Sequence, residues 1–257
     1  MRAPLPAQRP WLQLALVATG LALLGSGTWI GLSRAPAEQH MGEVQRIMYV
    51  HVPTAWVAML LLAVAFVSAL LFLLTRRWRF DALHEAAVEV GVVLSCLLCV
   101  QGAIWARPTW GVWWDWDPRL TTVAVMLFAF FGVLALRHFV EDPVRRAVRS
   151  ALATILAFAD VPIVYFSVRW WSSLHQVQST PATMDAAMLL PLRLNGLGML
   201  LLATGLLLLR SRLAARRLAL ALAPPPQEPA PHLSSPQPST CAGALRQPPL
   251  RPARGRA

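Results

Sequence analysis

The chain contains no lysine; all 23 of its basic residues are arginine. That absence removes whole classes of mechanism, because a P-loop needs its Gly-Lys pair and Schiff-base chemistry with pyridoxal phosphate or retinal needs a lysine amine. The chain therefore hydrolyses no ATP through a Walker site. Charge of either sign is scarce: 12 acids and 23 bases make up 14% of 257 residues. Cysteine is scarcer, at three residues, and its one suggestive spacing, Cys96 and Cys99, lies inside an apolar run. Val100 stands where a covalent cofactor-attachment motif would require histidine, so the pair reads as two buried small hydrophobes. The net charge of +11 does not point to nucleic acid, since the arginines sit in short segments between apolar runs and in the tail, with no basic patch among loop aromatics.

What fills the chain instead is hydrophobic sequence, 56% of residues, in runs too long and too uniform for a globular core of this size. The pattern predicts an all-α integral membrane protein with six transmembrane helices, over 11–32, 54–74, 86–105, 120–137, 150–168 and 192–209. The first run is long for a signal peptide, although Ala35-Pro36-Ala37 behind it imitates a cleavage site, and it is read as a retained span. Pro53 fits the first turn of the second helix, and Glu85 and Glu89 complement the N-terminus of the third. Asp160 and Pro162 break the fifth. Residues 1–217 form the membrane domain, and 218–257 form a basic, disordered tail, with ten prolines after Ala223. Alternate segments carry 17 and 6 arginines, which puts both termini in the cytoplasm by the positive-inside rule. The segment before His51, the loop between the third and fourth spans, and the loop around His175 then share the outer face.

That central loop, about 105–121, holds five of the eleven tryptophans within twelve residues: Trp105, Trp110, Trp113, Trp114 and Trp116. Trp110, Trp113, Trp114 and Asp117 fall at helical spacing, so a turn or two of helix would carry an indole wall on one side. Arg107, Asp115, Asp117 and Arg119 ring it, and arginine offers a planar fork matched to carboxylates. A planar apolar ligand with acidic substituents suits such a wall. An interfacial aromatic belt is the simpler reading, but a belt places a tryptophan or two at each span end, not five in one loop.

His51 and His175 lie at the depth of this loop. Two imidazoles over an aromatic wall are what axial ligation of a heme iron needs, although a lone interfacial histidine is more often a hydrogen-bonded bystander. His84 and His138 lie on the inner side, His232 in the tail, and His40 in an outer loop without aromatic neighbours. Asp160 is a costly carboxylate within a span, or a partner for backbone opened by Pro162.

The stretch Trp110-Gly-Val-Trp-Trp-Asp-Trp-Asp-Pro-Arg-Leu-Thr121 resembles the tryptophan-rich WGxWWxWDxRLT signature of the heme-handling membrane proteins of cytochrome c maturation. Six spans, Tyr49-Val-His-Val-Pro53 and Trp170-Trp-Ser-Ser-Leu-His-Gln176 are similar to the CcmC type, heme exporter protein C, over about residues 11–217. The resemblance implies heme b held non-covalently at the periplasmic face of the bacterial inner membrane. His51 and His175 match the family's axial ligands. Trp110, Gly111, Trp113, Trp114, Trp116, Asp117 and Arg119 match its platform, with Arg119 expected to hold a propionate or dock the acceptor and Asp117 to orient Arg119 or face the acceptor. It also implies delivery of heme to the chaperone CcmE, in a complex with CcmA, CcmB and CcmD, without bond chemistry in this chain. Asp115 fills a position the signature leaves free, and the Pro-rich tail has no counterpart in it. Two other readings stand beside this one: a six-span small-solute transporter with a tryptophan belt, and a heme lyase or synthetase of the same superfamily, a branch usually longer and richer in histidine.

Overall fold

The computed structural model describes residues 10–175 and 184–223, and every named element in them is helical. Helix α1 spans Pro10–Ser33, α2 Met48–Thr75, α3 Trp78–Trp110, α4 Pro118–Phe139, α5 Pro143–Phe158, α6 Asp160–Trp170 and α7 Ala186–Ala221; a 3-10 turn, Glu43–Ile47, leads into α2. With α5 and α6 counted as one interrupted crossing, six segments are long and apolar enough to span a membrane. Their exposed faces agree: Phe139 and Leu156 are each 79% exposed, which is unfavourable in water and neutral against lipid tails.

Local chemistry decides where the helices begin and end. Three of the helices start on an aspartate whose side chain accepts a backbone N–H of the first turn: Asp117 from Leu120, Asp142 from Arg145 and Asp185 from Ala187. Pro118 and Pro143 follow at the first helical position, where a missing N–H costs nothing. Helix α3 stops because Gly111 adopts φ 79°, the left-handed conformation that closes a C-terminus. Between α2 and α3 only Arg76 and Arg77 intervene, Arg76 itself left-handed at φ 54°, so the two helices are forced into an antiparallel pair.

The helices are longer than the apolar runs suggested. Pro53 is the sixth residue of α2 and is buried, because the helix starts upstream at Met48. The third helix runs on to Trp110, and α7 begins at Ala186 and continues to Ala221. Polar and aromatic residues at a membrane boundary thus continue the helix that hydropathy alone would end. The disordered tail was expected over 218–257, but residues 218–221 belong to α7, whose backbone hydrogen bonding runs on past the last apolar run; the rest from 224 onward lies outside the described residues.

The expected break in the fifth crossing is present at Ala159, between α5 and α6. Pro162 has no N–H for the carbonyl of Phe158 four residues earlier. Asp160, however, does not cap the opened helix: no side chain caps α6, and Asp160 Oδ2 is enclosed without a hydrogen-bond partner.

Helix α1 lies along α7, while α2 packs on α3, and α4 against α5 and α6. The close approach of α1 and α7 requires glycine: a Cβ on Gly20 would sit 2.6 Å from the Leu202 backbone nitrogen, and one on Gly198 2.8 Å from that of Leu24. The main core joins α2, α3, α4 and α6 through Leu62, Val88, Val92, Met126, Phe130 and Val161.

At one end of the bundle, buried Arg137 reaches Asp81 at 2.8 Å, Ser150 at 2.9 Å and Glu85 at 2.5 Å, and Arg210 pairs with Glu89. Glu85 and Glu89 are therefore members of a tertiary ionic network, not the helix-terminus charges the sequence suggested. The other end gathers the start of α2, the end of α3, the start of α4 and the end of α6. The tryptophans and both candidate histidines are there.

Candidate functional site

The tryptophan stretch is half helix and half loop. Trp105 and Trp110 belong to the last two turns of α3, and residues 111–117 leave it as an irregular connection that ends on the Asp117 cap of α4. The indole wall expected from helical spacing is accordingly not one helix face. Gly111 turns the chain just after Trp110, and Arg107 reaches across the turn to bond the Gly111 carbonyl. Trp114 and Trp116 then pack edge to face at 5.6 Å, with Trp113 and Trp116 largely exposed.

Each candidate histidine meets a different indole. His51, in the first turn of α2, lies edge-on to Trp105 at 5.4 Å, next to Gly102 of α3. His175, beyond α6, lies edge-on to Trp110 at 4.9 Å. Both indoles stand on the last two turns of α3, so the two imidazoles lie against the same end of that helix. Three distant segments of the chain thus converge on one end of the bundle, as expected from side and depth alone.

Asp117 organises the convergence. Its Oδ1 accepts the Leu120 N–H at 2.8 Å, and its Oδ2 accepts the Ser173 hydroxyl at 2.5 Å, the Leu174 N–H at 3.1 Å and His175 Nδ1 at 3.2 Å. One carboxylate therefore starts α4 and pins the loop that carries His175. The expectation that Asp117 orients Arg119 or faces an acceptor is corrected here: its oxygens are occupied, it is 8% exposed, and no ion pair joins it to Arg119 among the described residues. Burial pushes the Asp117 carboxyl up, but the bonds from Ser173, Leu120 and His175 outweigh it and hold the group below the usual carboxylate range.

His175 is driven the other way by the same enclosure. Burial pushes its imidazole below the ordinary value, the Asp117 bond opposes this, and Arg119 reinforces it. The net direction leaves the ring neutral at neutral pH. With Nδ1 bonded to Asp117, Nε2 is the nitrogen left with a free lone pair, which is the arrangement a metal-ligating histidine needs.

Around His51 the polar atoms are unsatisfied. His51 Nδ1, the Trp105 indole nitrogen and Gln101 Oε1 are all enclosed without a hydrogen-bond partner. Buried orphans of this kind are uncommon and ask for a ligand or water. An apolar groove of about 290 Å³ lies between α3, the tryptophan loop and α4, lined by Cys99, Trp114, Trp116, Leu127, Phe128 and Phe131, with neither candidate histidine in its lining. The donor set and the apolar walls fit a planar, largely apolar group carrying a metal that prefers imidazole.

Gln101 and Ser173 escaped the sequence reading. Gln101 has a faint signal, a polar residue four before Trp105 inside an apolar helix; Ser173 has none until Asp117 is seen to reach it. Of the other described histidines, His84 is fully buried and bonds Thr154 at 2.7 Å, His138 lies against Phe139, and the backbone N–H of exposed His40 donates to Glu38; His232 lies outside the described residues. Cys96 and Cys99 are free thiols packed against the core.

The model of one protein family, described as heme exporter protein C, matches residues 6–221. The heme exporter protein C of Escherichia coli strain K12 is 37% identical over 205 residues, covering 79% of this chain and 82% of that protein. The protein of the same name from Bradyrhizobium diazoefficiens is 35% identical over 187 residues, 71% of this chain and 69% of its own. A putative cytochrome c biosynthesis ccmC-like mitochondrial protein of Marchantia polymorpha is 32% identical over 173 residues, covering 66% and 73%.

Proposed function

The chain belongs to the heme exporter protein C family, and from that premise we propose that it binds heme b non-covalently between His51 and His175 and passes it to the chaperone CcmE. Membership makes it a multi-pass membrane protein that handles heme for cytochrome c maturation. The handover, the ligands and the orientation are our reading. The observation that carries it is the convergence of two imidazoles, each edge-on to an indole, with the ring of His175 set by Asp117.

In this reading His51 comes from one side on α2 and His175 from the other on its pinned loop, both offering a ring nitrogen to the iron. Trp105 and Trp110 hold the two ring planes. Trp113, Trp114 and Trp116, in the irregular connection after Gly111, cover the porphyrin, each worth about 1–3 kcal/mol on the scale of planar bases stacked on aromatic residues. Arg119, which appears in no ion pair among the described residues, pairs with a propionate. Heme is cargo here, so the site must release it; exposed Trp113 and Trp116 leave the face through which the chaperone reaches it.

The chain works with CcmA, CcmB and CcmD, and ATP hydrolysis belongs to another subunit. In this reading both termini are cytoplasmic and the heme site is periplasmic, which the 17-to-6 arginine split supports. Reporter fusions after Arg79 and Arg149 read cytoplasmic, and the reverse pattern overturns the orientation.

The decisive experiment is the absorption spectrum of the purified protein and of His51→Ala, His175→Ala and His84→Ala. The first two lose heme or its bis-histidine spectrum, and the third keeps both. Outer variants indistinguishable from the unaltered chain defeat the assignment, and a chain that purifies colourless favours a solute transporter.

A further inference from the structure

The end of the bundle remote from the tryptophans has a site of its own. Helix α3 connects the two ends; with 33 residues at about 1.5 Å each it measures roughly 50 Å. Where α3 begins, α4 ends, α5 begins and α7 nears its end, the helices enclose a pocket of about 170 Å³. Asp81 and Glu85 of α3, Arg137 of α4, Arg146 of α5 and Arg217 of α7 line it.

The carboxylates in this wall are already occupied. Arg137 binds Asp81 through two nitrogens, at 2.8 and 3.2 Å, and reaches Glu85 with one of them. Arg210, just outside, stands 3.9 Å from Glu85 and pairs with Glu89. The arginines are in excess. Arg146 and Arg217 appear in none of the ion pairs of the described residues. The Arg137 side chain is only 6% accessible, and its Nε is enclosed with no partner.

Three guanidiniums against two carboxylates leave the lining at a net charge of one positive. The N-terminus of α5, whose first turn includes Arg146, is already met by the Asp142 carboxylate, so the excess positive charge comes from the guanidiniums. A cation is repelled from such a pocket. A tetrahedral oxyanion suits it, since guanidinium forks bond phosphate oxygens in pairs. Depth narrows the source, because the pocket lies where the apolar runs of α4 and α7 give way to arginine, the level at which lipid phosphates sit.

We propose that this pocket binds a phosphate group, supplied by the headgroup of an anionic phospholipid, with Arg146 and Arg217 as its ligands beside the Arg137 network. The inference stands on residues far from the tryptophan end and does not rest on the heme reading.

The test uses the full chain in detergent, incubated with mixed micelles of phosphatidylcholine and phosphatidylglycerol, with retained lipid counted by native mass spectrometry. Arg146→Gln/Arg217→Gln is compared with Arg145→Gln/Arg149→Gln, which removes the same charge from the exposed side of α5. Arg137 is left intact, because replacing it would strand Asp81. The expected result is selective retention of phosphatidylglycerol by the unaltered chain and by the Arg145/Arg149 variant, with at least a tenfold loss in the Arg146/Arg217 variant. Inorganic phosphate that displaces the lipid places both in the pocket. Phosphate that binds with the same dependence on Arg146 and Arg217, while the lipid does not, keeps the anion site and assigns it to a free ligand. Equal retention by all three proteins, or equal loss from the two variants, overturns the proposal: the arginines would then act only as diffuse surface charge.

Discussion

Replacing Asp117 with asparagine changes a single atom of the acceptor set, and its effect follows from the four bonds that group receives. Asparagine keeps one oxygen, which serves either Leu120 at the start of α4 or the loop of His175, but not both. If the oxygen stays on Leu120, the new NH2 faces the Leu174 N–H and His175 Nδ1, and two donors lose their acceptor while the Ser173 hydroxyl can turn round. At about 0.5–1.5 kcal/mol for each lost bond, the loop loses about 1–3 kcal/mol of positioning. That is about a 5–150-fold loss in heme affinity, which spans the roughly 10–100-fold found when a partner behind a metal-ligating histidine is removed. The assay is heme titration of the purified variant, followed by absorption. Acidity supplies a second readout of opposite sign. The pKa of His175 already lies below the ordinary histidine value, mainly through burial, with Asp117 pulling upward against it. Without the carboxylate it falls further, so protons compete with iron only at lower pH. Asp117→Asn should therefore bind more weakly at neutral pH while its acid edge moves down. An affinity within twofold of the unaltered chain, or an acid edge moved up, refutes the bond between Asp117 and His175 as the positioning contact.

The other predictions concern the bundle. Arg137→Gln strands buried Asp81 and largely buried Glu85 and should destabilise the protein by about 3–5 kcal/mol, seen as a lower melting temperature in detergent, with Asp81→Asn in the same background recovering part of the loss. Gly198→Ala places a Cβ 2.8 Å from the Leu24 backbone and should loosen α1 from α7, read as faster hydrogen exchange in α1; unchanged exchange would show that the helices slide apart at no cost. Truncation after Ala223 should leave heme binding intact, since a segment so rich in proline buries little apolar surface; lost binding would assign the tail a role in the site.

The membrane class, the six crossings and the break at Pro162 were legible in the order of the residues, because each depends on a local property: runs of apolar side chains or a missing N–H. So were His51, His175 and the tryptophans as a group, since span parity puts them at one end. Helix ends were less legible. Hydropathy stops at the bilayer boundary, whereas backbone hydrogen bonding continues until a residue such as Gly111 turns it, and so Trp110 lies on a helix and Trp113 does not. The partnerships were not legible at all. Asp117 and Arg119 are two residues apart and look like a pair, yet Asp117 bonds Ser173 and His175, 56 and 58 positions away; Glu85 and Glu89 look like charges for their own helix, yet answer Arg137 and Arg210. A carboxylate bonds whatever donors the packing of other helices brings within 3 Å or so, and only the tertiary structure decides which donors those are.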